Sequence, residues 1–291
     1  MAGPVVVGVD STPSSERALI WGAQAAADRH TELHLVHAIG YPSTALDLLE
    51  DEVVAAGAAD LVAQAADRVR ESWPALPVRT HVDRTTAANA LGERSRHATL
   101  VVVGAQRLTG LAGVISGSLS YGIAAAAWCP VAVVPSLPAP EATGVVVGVD
   151  GSSDGLQAVR LAAAAADRTG DALHVVHAWQ EPGVYLSADY YIPETISDRL
   201  EQDERLVLAE SVAGLADRYP DLLIQQHLVQ GQPAAALLDQ AENARLLVVG
   251  SRGRGGLVRA LLGSVSHTVV QRATCPVLIT RTREHEVPPH H

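Results

Sequence analysis

The chain has 291 residues, 48% of them hydrophobic and 18% charged, with a formal net charge of −11. This is globular composition, long enough for two domains that each bury a core. The acidic balance argues against a general affinity for nucleic acid or anionic lipid, both of which need a basic face, and no apolar run approaches the roughly eighteen residues of a membrane helix. The N-terminal MAGPVVVGVD leads straight into an apolar stretch without a basic leader, so a soluble protein of the bacterial cytoplasm is expected, with no nucleic-acid partner and no membrane partner.

Short, fully apolar runs bounded by turn residues read as buried parallel strands at 4–9, 33–38, 78–82, 100–104 and 130–134. Helical stretches separate them. Thr12-Pro13 has the form of an N-cap followed by proline at the first helical position, and an Ala-rich amphipathic segment follows. Residues 44–72 form a long helix, 87–97 a short one, and a last helix starts near Ser118.

The same order is then written again. VVVGVDST at 5–12 returns as VVVGVDGS at 145–152, and LHLVHA at 33–38 as LHVVHA at 173–178, both displaced by 140 residues. VVVGA at 101–105 matches LVVGS at 247–251, and the two CPV segments at 129–131 and 275–277 also match, now displaced by 146. Six residues therefore enter the second copy between Ala178 and Tyr219. Ser152 is the second N-cap, 194–218 the long helix, 233–243 the short one, and the last helix starts near Ser264. The expected fold is α/β: two tandem doubly wound, Rossmann-like domains, each a five-stranded parallel sheet flanked by helices. Domain 1 spans 1–136, a proline-bearing linker 137–144, domain 2 145–281, and a disordered tail 282–291.

Ligands on such sheets sit beyond the carboxyl ends of the strands, where strand order reverses. In the second copy that place is taken by GSRGRGGLVRALLGSVS, residues 250–266, with five glycines, three arginines and no carboxylate. Gly250, Gly253, Gly255 and Gly256 permit positive φ and close approach of a ligand to the backbone, and Gly263-Ser264 opens a helix whose first amides favour an anion. Arg252, Arg254 and Arg259 add positive charge. Asp150, at the end of the first strand, is placed to accept a hydrogen bond from a ribose hydroxyl or a base amine; its alternative role is that of a turn or cap residue.

The spacing Gly250-x2-Gly253-x9-Gly263-Ser264, together with VVVGVDGS, VHA and a closing CPV strand, resembles the universal stress protein family in its tandem, two-domain type, over residues 4–281. The resemblance implies an ATP-binding stress-response regulator, with Mg²⁺ as the counterion of its cofactor, ATP. The adenine would lie near the first-strand aspartate and the residues just after strand two, with ribose and phosphates on the glycine-serine segment. The implied positions are Asp150, Ala178, Gly250, Gly253, Gly263, Ser264, Val265 and Ser266, and in the first copy Asp10, Ala38, Gly104, Gly117, Ser118 and Ser120. The first copy departs from the motif at Arg107, where the second glycine should stand. If that position needs positive φ, a side chain there costs about 1 kcal/mol; alternatively Arg107 supplies its own charge to a phosphate. The resemblance also implies a homodimer and an unidentified regulatory protein partner.

No catalytic constellation emerges. All 21 basic residues are arginine, which excludes a Walker lysine and a Schiff-base lysine. Cys129 and Cys275 read as buried, inert thiols, and no metal site is expected. His37 and His177 repeat in the second strand, either as packed structural residues or beside the ligand. VYLSADYY at 184–191 has no first-copy equivalent and is either a lid or a partner surface. Weak ATPase activity, an adenylate-transferring hydrolase and an interaction scaffold with one degenerate lobe stand as the alternatives to a binding regulator.

Overall fold

The computed structural model describes residues 3–40, 47–105, 118–180, 194–253 and 262–280. The chain divides into two compact units, residues 1–137 with 270–278 and residues 138–269 with 279–291. The first repeat runs β1 (Val5–Gly8), α1 (Pro13–Ala27), β2 (Leu33–Ala38), α2 (Asp47–Ser72), β3 (Val78–Asp83), α3 (Ala87–Arg94), β4 (Leu100–Gly104), α4 (Ser118–Ala126) and β5 (Val131–Val134). The second runs β6 (Val145–Val149), α5 (Ser153–Thr169), β7 (Leu173–Trp179), α6 (Glu194–Val212), α7 (Leu215–Arg218), β8 (Ile224–Gln230), α8 (Pro233–Gln240), β9 (Leu246–Gly250), α9 (Ser264–Arg272) and β10 (Val277–Thr280).

Strand order is β3-β2-β1-β4-β5 in the first repeat and β8-β7-β6-β9-β10 in the second. β1 pairs in parallel with β2 and β4, and β6 with β7 and β9, so order reverses on either side of these central strands. Helices cover the sheets: α1 packs on β1 and β4, and α5 on β6 and β9. This explains the unbroken valine runs, because a strand covered on both faces has no side for a polar residue. Val5, Val7, Val147 and Val248 are completely buried.

Local signals set the helix starts. Thr12 Oγ1 accepts from Ser15 N at 3.3 Å and Ser152 Oγ from Gly155 N at 3.1 Å, each satisfying one amide of the first turn. The two repeats differ at the far ends of these helices. Gly170 closes α5 with φ +67°, while the equivalent position in the first repeat is His30, at φ +51°. A side chain in that left-handed conformation costs on the order of 1 kcal/mol, which glycine avoids.

The expected single helix over 194–218 is interrupted. Gly214, at φ +75°, separates α6 from α7, because a left-handed residue cannot continue a right-handed helix. α3 and α8 end at Arg94 and Gln240, short of the expected 97 and 243. The expected lid or partner surface at 184–191 and the tail at 282–291 lie outside the described residues. No described helix is long and apolar enough to cross a membrane.

Candidate functional site

In the second repeat a cleft of about 460 Å³ opens at the carboxyl ends of β6, β7 and β9, a volume in the range of small-ligand sites. β6 contributes Gly148 and Val149, with Asp150 following; β7 contributes Val176 and Ala178, and β9 Val249 and Gly250. Pro233 and Leu237 of α8 add apolar surface, and the remaining wall includes Arg252, Gly253 and residues 262–266. All eight positions named from the sequence in this repeat, Asp150, Ala178, Gly250, Gly253, Gly263, Ser264, Val265 and Ser266, lie on this one cleft.

Asp150 has the turn role considered for it, and it also lines the cleft. Its Oδ1 accepts from Ser152 N at 3.0 Å and from Ser152 Oγ at 2.5 Å, an Asx-type turn that sets the start of α5. The other oxygen faces Gly253: a Cβ on that glycine would stand 2.4 Å from Asp150 Oδ2. The need for glycine is therefore one of space. The positive φ considered for the segment's glycines is not found at Gly250 or Gly253, which are absent from the left-handed glycines. A Cβ at Gly250 would likewise meet Asp154 and the Arg252 carbonyl at 3.1 Å. Gly255, Gly256, Arg254 and Arg259 lie outside the described residues.

The ends of the glycine segment are joined to each other. Ser251 O accepts from Gly263 N at 2.7 Å and from Ser266 Oγ at 3.1 Å, and Ser266 Oγ also reaches Gly263 O at 3.0 Å. α9 then begins at Ser264. The first amides of an α-helix have no intrahelical acceptor, so this end of the cleft is suited to an anion. Arg252, partly exposed, supplies positive charge at the same wall. Among the described residues no group of three or more His, Cys, Asp or Glu could hold a metal ion.

The family model described as the universal stress protein family matches this chain twice, at residues 1–135 and 143–281. The chain belongs to the universal stress protein family. It is of the tandem type, as the full-length relatives agree. A universal stress protein of Mycobacterium tuberculosis is 36% identical over 293 residues, covering 95% of this chain and 96% of its own. One from Mycolicibacterium smegmatis is 35% identical over 298 residues, covering 96% and 97%. Among solved structures, a universal stress protein from Archaeoglobus fulgidus matches with a TM-score of 0.70 at 20% identity, covering 96% of this chain and 98% of that one.

In the first repeat of this tandem universal stress protein, Asp10 makes the same turn, accepting from Thr12 N at 2.8 Å and Thr12 Oγ1 at 2.5 Å. Ala38 ends β2 and Gly104 ends β4, where a Cβ would stand 2.3 Å from Ser14 O. Gly104 does not take positive φ either. Ser118 begins α4, and Ser120 is buried within it. Gly117 and Arg107 lie outside the described residues. Asp10 lines a groove toward α2, with Glu16, Asp60 and Arg68 on its walls.

His37 and His177 are structural in the same way: each Nδ1 lies 2.7 Å from the carbonyl of the central strand, Val9 or Val149. His177 has a carboxylate partner that the sequence did not reveal. Glu204 Oε2 on α6 lies 2.6 Å from its Nε2. Both cysteines are buried and outside any disulfide, and burial pushes the Cys129 thiol up to about 12. Sequence reasoning also missed Asp154, Gly155, Pro233 and Leu237. Asp154 is the acidic residue in the first turn of α5, and its partner Ser251 lies 97 residues away, beyond any local signal.

Proposed function

We propose that this protein is a nucleotide-binding regulator whose second repeat holds ATP in the cleft between Asp150, Ala178 and the glycine-serine segment. What supports this reading is the convergence on one cleft of an apolar floor, a strand-end carboxylate and a helix start bearing no carboxylate. Val176, Leu237 and Val249 suit a flat base. Asp150 suits a ribose hydroxyl or exocyclic amine, and Arg252 with the first turn of α9 suits phosphates. Mg²⁺ would arrive with the nucleotide as its counterion. Among the described lining residues Asp150 is the one carboxylate, whereas phosphoryl transfer uses several metal-holding acids beside a positioned nucleophile; the role proposed is binding, with occupancy read by a protein partner.

The test is to denature freshly purified protein, count released adenine nucleotide per chain, and titrate the emptied protein with ATP. Binding should be retained by the wild type and lost, by roughly a hundredfold or more, in Gly263→Glu, where a carboxylate faces the phosphate end. A Cβ at Gly263 meets its nearest neighbour at 3.4 Å, so the fold should survive the change. No binding by the wild type would overturn the reading.

A further inference from the structure

Asp154 lies in the first turn of α5 and is only 4% exposed. Its Oδ2 accepts from Ser251 Oγ at 2.8 Å and from Arg252 N at 3.2 Å, and Arg252 Nε lies 3.8 Å away. Its own carbonyl accepts from Thr280 Oγ1 at 3.2 Å. A carboxylate so buried demands hydrogen-bond partners, and those it has include Ser251 and Arg252, just after the first glycine of the segment. Ser251 is also the residue whose carbonyl receives Gly263 N and Ser266 Oγ from the other end of the segment. One serine thus ties α5, whose Gly155 lines the cleft, to both described ends of the glycine-serine segment.

The first repeat keeps Ser120 at the place of Ser266 but lacks the pair formed by Asp154 and Ser251. Position 154 corresponds to Ser14, whose hydroxyl instead pairs with Thr12 Oγ1 at 2.8 Å, and position 251 to Ala105, which has no hydroxyl. The backbone is shared: Ala105 N donates to Val134 O at 3.2 Å, as Ser251 N does to Thr280 O at 2.7 Å. At this strand end the two repeats thus share the backbone bond and differ in the side chains at positions 154 and 251.

We infer that Asp154 and Ser251 form a latch that positions residues 251–252 and 263–266 of the cleft wall for nucleotide before any nucleotide arrives, and that its absence leaves the first repeat the weaker binder. The inference rests on the reading of the cleft as an ATP site. Neither residue needs to touch the ligand. A prearranged wall spares the binding step the cost of ordering it, and affinity rises accordingly.

The experiment measures ATP affinity in the full chain for Asp154→Ser, which copies the first repeat, for Ser251→Ala, for the double variant and for Asp154→Asn. Each of the first two should weaken ATP about tenfold, and the double variant little more than either alone, because one bond is being removed twice. Asp154→Asn keeps an acceptor for Ser251 and Arg252 N, so its affinity should stay within about threefold of wild type. Should Asp154→Ser fail to fold, Ser251→Ala reads the same bond with a smaller change. Wild-type affinity in both Asp154→Ser and Ser251→Ala, with Gly263→Glu still inactive, overturns the latch alone. Asp154→Asn falling as far as Asp154→Ser overturns the positioning role in favour of the charge. No ATP binding by the wild type overturns the cleft reading and the latch together.

Discussion

The two repeats are built on one backbone plan and diverge at the rim of one cleft. Thr12 and Ser152 cap equivalent helices, Asp10 and Asp150 make the same turn, and His37 and His177 reach equivalent carbonyls at 2.7 Å. Around the glycine segment, Asp154, Gly155, Ser251, Arg252 and Gly253 stand where the first repeat has Ser14, Ser15, Ala105, Gln106 and Arg107. The position of Gly155 is informative: it lines the cleft of the second repeat, whereas Ser15 is a buried side chain whose Oγ accepts from Asp10 N at 2.8 Å. The comparison teaches that the fold and the site make separate demands. Apolar strands and capped helices are enough for the first, while the second depends on a few small or hydrogen-bonding residues that the fold can do without.

The strongest way to break the comparison is to carry the Arg107 position into the second repeat. Gly253→Arg places a Cβ 2.4 Å from Asp150 Oδ2, a contact that forces the segment and the aspartate apart. The change should abolish measurable ATP binding while thermal unfolding moves by only a few degrees, since Gly253 lies at an exposed rim. Calorimetric titration beside a melting curve checks both. Unchanged affinity would show that Arg107 is no obstacle in the first repeat, and the argument from space would be lost.

A smaller effect separates the two duties of the strand-end aspartate. Asp150→Ala removes the turn bonds to Ser152 and the carboxylate on the cleft, whereas Asp10→Ala removes the matching turn in the first repeat. Both should cost a similar amount of stability, but only Asp150→Ala should weaken ATP at the second-repeat site, by about 1–2 kcal/mol if a charge-assisted bond to the ligand is lost. Equal affinities in the two variants would reduce Asp150 to a turn residue.

Much of this was legible in the sequence because its causes are local or repeated. Alternation of apolar runs with Ala-rich helices, the cap at Thr12, and displacements of 140 and 146 residues yield the order of elements and the switch point. The eight cleft positions followed from the resemblance to the universal stress protein family, which the glycine spacing and the Asp-ended first strand carried. What was missed depends on encounters between distant segments. The pairing of Asp154 with Ser251 and of His177 with Glu204 requires the helix and strand to be packed before the partners can be seen. The reason for Gly253 was misassigned for the same cause, because sequence shows a missing side chain but not the carboxylate that occupies its space. The break at Gly214 was a local signal that the strong helical pattern on either side concealed.

The gentlest test of the comparison uses acid. Each repeat sets two imidazoles side by side on its second and third strands: His34 and His81 tilted at 46°, His174 and His227 stacked at 23°. In the second, His174 Nδ1 lies 3.1 Å from His227 Nε2, so one ring must donate and the other accept, and protonating both breaks the bond. Burial first, and then the His174 charge, hold His227 below the ordinary imidazole range; burial followed by Arg94 does the same for His81. A histidine lowered in the folded state takes up its proton first in the unfolded chain, so stability is undiminished above about pH 6.5 and falls as pH drops toward the folded value. The first repeat has a remedy: Glu32 Oε2 lies 3.2 Å from His34 Nε2, and the hydrogen bond to His34 is the main reason its carboxyl is held low. The second repeat has Ala172 there. His227→Gln should therefore flatten the loss of melting temperature between about pH 7 and pH 5.5 more than His81→Gln does, and Ala172→Glu should flatten it in part by giving His174 an acidic neighbour. Equal slopes in His227→Gln and wild type would mean that the pair opens freely to solvent and that the two repeats do not differ in this respect.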